Sequence, residues 1–230
     1  VLFKKYISSN NINFNIFKSY INKNKLIFSK KHFNILDIKA SNYDENTYVS
    51  LKESFELVKK KFCIGIVTLP INKEKINKIN SKFIDQTTFF TKKDGKKISN
   101  MIFIYKNLYF VPLTTHIKLK DVTNKFKNTN AYIEKIKNLN STFLKDFKIN
   151  NPKIIIAGIN PHNGENGIIS SEDNKYLKPI IKKLKKLNIN INGPISPDSI
   201  VNKNNLKNFN CFVFTYHDQA LIPFKIISNY

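Results

Sequence analysis

The sequence predicts an α/β protein with a largely parallel sheet flanked by helices. Short, continuously apolar runs, which are typical of strands buried on both faces, alternate along the chain with segments of helical spacing. The 230 residues are enough to bury a substantial core, and 41% of them are hydrophobic. No apolar run approaches the roughly 20 residues that a membrane-spanning helix needs, so the sequence indicates a globular protein without a membrane segment.

In the first half of the chain, apolar and polar residues alternate weakly over 12–37, which indicates strands or short connections. Residues 47–60 have helical spacing and lead into a lysine triplet, which favours a helix C-terminus. The apolar run Phe62–Val67 predicts a buried strand. Two further strands are predicted over 101–105 and 108–113, joined by a Lys-Asn turn.

In the second half of the chain, the apolar residues over 119–147 have helical spacing. The clearest buried strand of the chain is predicted over 153–158. Residues 172–187 carry one apolar stripe opposite a face of lysines, which predicts an amphipathic helix. A Gly-Pro and Ser-Pro-Asp loop is predicted over 193–200, and a last strand over 212–216. Because strands alternate with helices, most strands are expected to be parallel.

The formal net charge of +23 raises the question of nucleic-acid binding. Lysine, asparagine and isoleucine make up nearly half of the chain and arginine is absent, a composition that indicates mutational drift in an A/T-rich genome. A surface specialised for phosphate and base recognition would use arginine, and the lysines are dispersed along the whole chain. The favoured interpretation is a solvated lysine surface, and a basic nucleic-acid-binding protein is kept as the alternative.

Cysteine content and the chain ends add two expectations. Cys63 and Cys211 are too few for a disulfide scaffold and suit a reducing, cytoplasmic compartment. The sequence begins at Val1 without a methionine and stops at Tyr230 just after an apolar run. We therefore expect one incomplete α/β catalytic unit over 1–230, with segments missing at both ends.

Three of the four histidines, His116, His162 and His217, each follow an apolar stretch that is predicted as a strand. In an open α/β sheet, ligands bind beyond the carboxyl ends of the strands. Three neutral imidazoles can hold a divalent metal and leave positions open for substrate. A single histidine in such a place is more often a loop or core residue, but the triple coincidence favours a metal site. His32, in a lysine-rich segment, is expected at the surface.

Four of the six glycines lie within 158–193, against a composition that disfavours glycine. The loop Gly158–Gly167 has neither the Walker spacing nor the G-x-G-x-x-G spacing of phosphate-binding loops. Two interpretations stay open. The glycines either supply positive φ in a tight surface turn or permit close backbone approach in a loop that presents ligands.

Three blocks of sequence occur in a fixed order: T-T-H at 114–116, G-I-N-P-H-N-G-E-N-G at 158–167, and Y-H-D-Q at 216–219 with Lys225 beyond it. Together they resemble the signature blocks of the 4-hydroxythreonine-4-phosphate dehydrogenase (PdxA) family of vitamin B6 biosynthesis. The resemblance covers about residues 47–230.

The resemblance implies an isocitrate/isopropylmalate-dehydrogenase-like fold and a homodimer with its active site between subunits. It implies oxidation and decarboxylation of a small phosphorylated hydroxy-amino acid, 4-phosphooxy-L-threonine, to 3-amino-2-oxopropyl phosphate on the route to pyridoxal 5'-phosphate. The implied cofactors are NAD or NADP and a divalent zinc, magnesium or cobalt ion. The family's metal-binding histidines carry over onto His116, His162 and His217.

Substrate-binding residues also carry over by resemblance. The phosphate-binding lysine falls on Lys225, and the family's His-Thr pair falls on Gln86 and Thr87, where an amide replaces the imidazole. Leu69 stands where the family has the glycine of a G-P-x-H-K block. Asp218 is a candidate either to orient a metal-bound imidazole or to act as a base. These departures keep two alternatives open: a sister dehydrogenase of another phosphorylated four-carbon acid, such as a phosphothreonate, and a decayed relative without turnover.

Dispersed lysine charge predicts weak, salt-sensitive binding to any polyanion, without sequence preference, because the attraction comes from counterion release alone. Fluorescence anisotropy with DNA and RNA oligonucleotides of unrelated sequence, with heparin as the control polyanion, measures this binding at low and physiological salt. An interaction that prefers one sequence and persists at physiological salt would favour the nucleic-acid-binding alternative.

Overall fold

The structure is a computed structural model that describes residues 16–23, 25–38 and 40–229. The described residues fall into two compact units, which divide after Lys96. They are named the N-terminal unit and the C-terminal unit.

The N-terminal unit combines a small sheet with three helices. Its strands are β1 (Ile16–Asn22), β2 (Lys25–Ile27) and β3 (Phe33–Leu36), and its helices are α1 (Tyr43–Lys59), α2 (Lys73–Ile79) and α3 (Gln86–Lys93). The sheet has the order β2-β1-β3, with β1 antiparallel to β2 and parallel to β3. The strands predicted over 12–37 are confirmed from Ile16 onward, and residues 12–15 lie outside the described residues. The helix predicted over 47–60 is confirmed as α1.

The buried strand predicted over Phe62–Val67 is wrong. The segment is irregular and pairs with none of the described strands. Ile64 and Val67 are almost fully exposed. An apolar run indicates that burial is favourable, but a strand also needs a neighbouring strand to accept its backbone hydrogen bonds, and the run itself does not show whether such a neighbour exists.

The C-terminal unit is built on a five-stranded sheet with the order β4-β5-β8-β6-β7. Its strands are β4 (Phe103–Tyr105), β5 (Leu108–Pro112), β6 (Ile154–Ala157), β7 (Ile191–Ile195) and β8 (Cys211–Phe214). All neighbours are parallel except the β4/β5 hairpin. The prediction of a largely parallel sheet is therefore confirmed in this unit.

Helices cover both faces of this sheet. They are α4 (Val122–Phe126), α5 (Thr129–Lys145), α6 (Lys178–Lys186), α7 (Lys203–Asn208) and α8 (His217–Ser228), with a π-helical turn (Asp173–Leu177) leading into α6. Along β8, Cys211 and Val213 enter a core cluster with α5 and α6, while Phe212 and Phe214 enter a second cluster with α7 and α8. Within the described ranges, no helix is long and apolar enough to cross a membrane.

The loop predicted over 193–200 begins too early, because β7 extends to Ile195. Gly193 and Pro194 resemble a turn in the sequence, yet they lie in a strand at the edge of the sheet. Proline is tolerated there because an edge strand has ladder hydrogen bonds on one side only. Gly193 is required as well, since a Cβ at this position would collide with the carbonyl oxygen of Ile156.

Asparagine begins several of the helices. The side chains of four N-cap asparagines each accept a hydrogen bond from the backbone N–H three residues later: Asn42, Asn72, Asn128 and Asn202. At α1 the Glu45 carboxylate also accepts a hydrogen bond from the N–H of Ser41, the residue before the N-cap. That hydrogen bonding lowers the pKa of Glu45. Capping of this kind satisfies backbone donors that a helix leaves unpaired.

Lys135 in α5 places its ammonium group against the end of the sheet. Its Nζ donates a 2.7 Å hydrogen bond to the carbonyl oxygen of Leu113, the residue that follows β5. Burial lowers the pKa of Lys135 to about 8, because desolvation disfavours the charged form. In the unfolded chain the pKa of a lysine is about 10.4. Between these two pKa values the unfolded state therefore binds more protons at Lys135 than the folded state does, so the free energy of unfolding increases as the pH rises.

We predict that the stability of wild-type protein relative to Lys135→Met increases by about 3 kcal/mol between pH 7 and pH 10.5, since one pKa unit corresponds to about 1.4 kcal/mol. Urea unfolding of both proteins across this range measures the difference. Lys137→Met on the exposed face of the same helix is the matched control, and its difference from wild type is expected to stay nearly constant. Equal pH dependence for the two variants would contradict the prediction.

Candidate active site at the carboxyl edge of the sheet

The three histidines singled out by the sequence follow three adjacent parallel strands. His116 follows β5, His217 follows β8 and His162 follows β6, and β8 lies between the other two strands. The carboxyl ends of parallel strands lie at the same edge of a sheet. All three histidines therefore lie in segments that leave the sheet at one edge, where ligands bind in folds of this class.

His116 and His217 are neighbours. Their ring centroids are 5.6 Å apart and the ring planes are inclined by 44°. Both rings line a cleft of about 300 Å³, together with Thr114, Tyr216 and Asp218 among others. His217 Nδ1 lies 2.9 Å from Asp218 Oδ1. With a carboxylate as its partner, Nδ1 carries the proton, so Nε2 keeps the lone pair that binds a ligand.

His162 lines a separate cleft of about 250 Å³, which shares Tyr216 with the first. Among the described residues, no three His, Cys, Asp or Glu side chains are grouped closely enough to hold a metal ion. The structure thus brings His116 and His217 together and leaves His162 in the adjoining cleft.

The residues present fit a divalent metal in their chemistry. Two imidazoles face one cleft, a third lies at the same edge of the sheet, and a carboxylate contacts the Nδ1 atom of one of them. Neutral imidazoles oriented by a carboxylate are the usual ligands of zinc and cobalt. Assignment of His116, His162 and His217 as one ligand set remains a prediction.

The backbone around His162 is unusual. Residues from His162 to Asn166 all have φ between 46° and 76°, which forms a left-handed turn. For residues other than glycine this conformation costs about 1–2 kcal/mol each, so surrounding contacts must hold it. Gly164 is buried inside the turn, and a Cβ there would collide with the backbone oxygen of Ser170. Gly164 thus combines positive φ with close backbone approach, whereas Gly167 has positive φ and open space around it, so both interpretations of the glycines stay open.

Asp173 holds the start of this loop. Its carboxylate is fully buried and accepts hydrogen bonds from the backbone N–H groups of Ile159 at 2.7 Å and Asn160 at 3.2 Å. Asn163 fixes the middle of the loop, since its Nδ2 donates to the Pro194 carbonyl at 3.0 Å. Gly158 leaves room for both side chains, because a Cβ there would meet Asn163 and Asp173.

Asp198 is a candidate functional residue that the sequence analysis did not identify. It follows β7, the fourth parallel strand, and lines the same cleft as His162. A hydrogen bond from the Ser196 hydroxyl lowers the pKa of Asp198, and the nearby His162 lowers it further. Its position as the first acidic residue after β7 could have identified it, but Gly193 and Pro194 indicate a turn, so that strand was not predicted.

The predicted substrate-binding residues are divided between the two units. Gln86 and Thr87 form the first turn of α3 in the N-terminal unit, and Gln86 Nε2 donates to the Leu69 carbonyl at 3.1 Å. Two of the positions that differ from the family blocks, Gln86 and Leu69, are therefore in contact through the Leu69 backbone. Lys225 is exposed on α8 in the C-terminal unit.

A family model described as "Pyridoxal phosphate biosynthetic protein PdxA" matches residues 3–229. The chain belongs to the PdxA family. It is 35% identical over 179 residues to a 4-hydroxythreonine-4-phosphate dehydrogenase of Sulfurihydrogenibium sp., a match that covers 78% of this chain and 55% of that protein. It is 30% identical over 168 residues to a D-threonate 4-phosphate dehydrogenase of Pectobacterium atrosepticum, covering 72% of this chain and 50% of that protein.

A solved PdxA structure shares the fold. The 4-hydroxythreonine-4-phosphate dehydrogenase of Klebsiella pneumoniae superposes with a TM-score of 0.87 at 21% identity, covering 99% of this chain and 73% of that one. The chain spans about half the length of the curated PdxA relatives that it matches. The α/β class predicted from the sequence is thus confirmed by the similar fold.

For this PdxA-family chain we predict one divalent ion per site, held by His116, His162 and His217. Replacing any of the three by alanine should weaken Zn²⁺ or Co²⁺ binding by more than about 100-fold, because a direct ligand contributes more than its supporting residues, which contribute about 10–100-fold. Competition with a chromophoric chelator measures the affinity, and His32→Ala is the matched control. Unchanged affinity in one variant would remove that histidine from the site.

Proposed function

We propose that this protein is a metal-dependent, NAD- or NADP-linked dehydrogenase that converts 4-phosphooxy-L-threonine to 3-amino-2-oxopropyl phosphate in pyridoxal 5'-phosphate biosynthesis. The observation that carries the proposal is the position of His116, His162 and His217 after three adjacent parallel strands of a PdxA-family chain. The 4-hydroxythreonine-4-phosphate dehydrogenases among its relatives support the same substrate.

The chemistry requires transfer of a hydride from the carbon that bears the secondary hydroxyl to NAD⁺ or NADP⁺ and loss of the hydroxyl proton, followed by loss of CO₂ from the resulting β-keto acid. A divalent zinc, magnesium or cobalt ion held by the three histidines supplies Lewis-acid stabilisation of negative charge on oxygen. Asp218 contacts His217 Nδ1 at 2.9 Å, so its role in this proposal is to hold the proton at that nitrogen and orient the ring.

Substrate recognition is assigned to residues that match the family blocks. Lys225 neutralises the substrate phosphate as a point charge. Thr87, exposed in the first turn of α3, and Gln86 provide hydrogen bonds to the substrate. The Gln86 side chain already donates to the backbone carbonyl of Leu69, a hydrogen bond that any residue at position 69 could accept.

A sister activity on D-threonate 4-phosphate is the second candidate. It is favoured by the relatives with that name, such as the enzyme of Pectobacterium atrosepticum, and by the amide of Gln86 at a substrate-reading position. The third candidate is a decayed relative that keeps the fold without turnover, since Gln86 and Leu69 both depart from the family blocks.

Assembly and location follow from the same family argument. We propose an isocitrate/isopropylmalate-dehydrogenase-like fold, a homodimer with its active site at the subunit interface, and residues 1–230 as part of one catalytic unit. Cys63 and Cys211 are both free thiols, which suits a cytoplasmic protein.

NAD(P)H formation by the complete gene product, assayed with Co²⁺, Mg²⁺ or Zn²⁺ and each of the two substrates, tests the proposal. We expect turnover of 4-phosphooxy-L-threonine, and His217→Ala should lower kcat/KM by roughly 10³-fold, since a metal contributes several kcal/mol to the transition state. Gln86→His is the informative partner variant and should raise kcat/KM for this substrate. Preference for D-threonate 4-phosphate would favour the sister activity. No turnover of either substrate by a metal-bound protein would favour decay.

A further inference from the structure

Polar side chains link the strand ends at the carboxyl edge of the sheet, in addition to the backbone hydrogen bonds. Thr114 Oγ1 donates to the Thr215 carbonyl at 2.8 Å, which joins the ends of β5 and β8. The Thr215 N–H donates to Gln219 Oε1 at 2.8 Å. Gln219 Nε2 donates to the Gly158 carbonyl at 3.0 Å, which joins the ends of β8 and β6.

We propose that Gln219 is a positioning residue that sets the placement of His162 relative to His217. Its amide is bonded at one end to Thr215, two residues before His217, and at the other end to Gly158, four residues before His162. The inference rests on the proposed function in so far as these two histidines serve one metal site.

The side-chain amide is suited to this position because the two groups to be joined differ in kind. Thr215 presents two donors, its backbone N–H at 2.8 Å and its hydroxyl at 2.9 Å, and Gly158 presents an acceptor; a neutral side-chain amide offers an acceptor and a donor together. Thr215 and Gly158 are both buried, so a partner lost at either end would not be replaced by bulk water.

Helix capping alone does not account for Gln219. A glutamine in the first turn of a helix often accepts from a backbone N–H just before that helix, and the bond from Thr215 is of this kind. The bond to Gly158 is different, since it reaches a residue 61 positions away in the sequence, at the end of another strand. Gly158 is itself tied to β7 by its N–H, which donates to the Ile195 carbonyl at 2.8 Å.

The test compares Gln219→Met, which keeps the side-chain length and removes the hydrogen bonds to the Thr215 N–H, the Thr215 hydroxyl and the Gly158 carbonyl, with Asn210→Leu. Asn210 is a matched control because its Oδ1 accepts from the Lys153 N–H at 2.9 Å and joins β8 to β6 at the opposite edge of the same sheet. We expect Gln219→Met to bind Co²⁺ 10–100-fold more weakly than wild type, with an altered visible absorption band. Asn210→Leu should keep the wild-type affinity and spectrum even where urea unfolding shows equal destabilisation.

Imidazole ¹H–¹⁵N NMR spectra of the metal-free proteins separate this inference from the metal site itself. In Gln219→Glu the acceptor for Thr215 remains and the donor to Gly158 is lost, so the His162 signals should shift while those of the exposed His32 do not. Wild-type protein without Co²⁺ affinity would contradict the proposed metal site, and the NMR result would still decide the inference. Wild-type affinity in Gln219→Met, or unchanged His162 signals in both Gln219 variants, would overturn it.

Discussion

Hydrogen bonding of β8 to β5 on one side and to β6 on the other is the constraint on which the site depends. The registers place Val213 opposite Val111 and also opposite Ile156, so three chain segments leave the sheet at nearly the same level. The alternation of side chains holds this register, because a slip of one residue would exchange the two buried faces of β8. The histidines beyond the strands therefore inherit their relative positions from the apolar core.

The sequence predicts those strands of the fold whose burial produces a recognisable hydrophobic pattern. β6 and β8 are buried on both faces, and their continuous apolar runs predict them directly. β7 is not predicted from the sequence, because its edge position tolerates Pro194, which otherwise indicates a turn. The opposite error at Phe62–Val67 shows that hydrophobicity alone does not supply a pairing partner. The strand order places β8 between β5 and β6. It depends on contacts between segments distant in the sequence, so no local pattern of residues predicts it.

The candidate site likewise contains residues that the sequence predicts and residues that it does not. His116, His162 and His217 could be singled out because each stands directly after a predicted strand, in a chain where histidine is rare. The roles of Asp173 and Gln219 could not be predicted, although Gln219 ends the Y-H-D-Q block, since these roles are defined by backbone groups 14 and 61 residues away. Residues that are themselves ligand candidates carry a local signature, whereas residues that hold the ligand loops do not.

The asparagine-rich composition has different consequences at the helix N-caps and at two of the glycines. Asparagine, aspartate and serine are nearly equivalent as N-caps, so replacement of one by another at Asn42, Asn72, Asn128 or Asn202 changes the free energy of folding little. Gly158 and Gly193 are different, because any side chain there would collide with neighbouring atoms. The four helix starts should therefore tolerate drift in composition, whereas these two glycine positions should not.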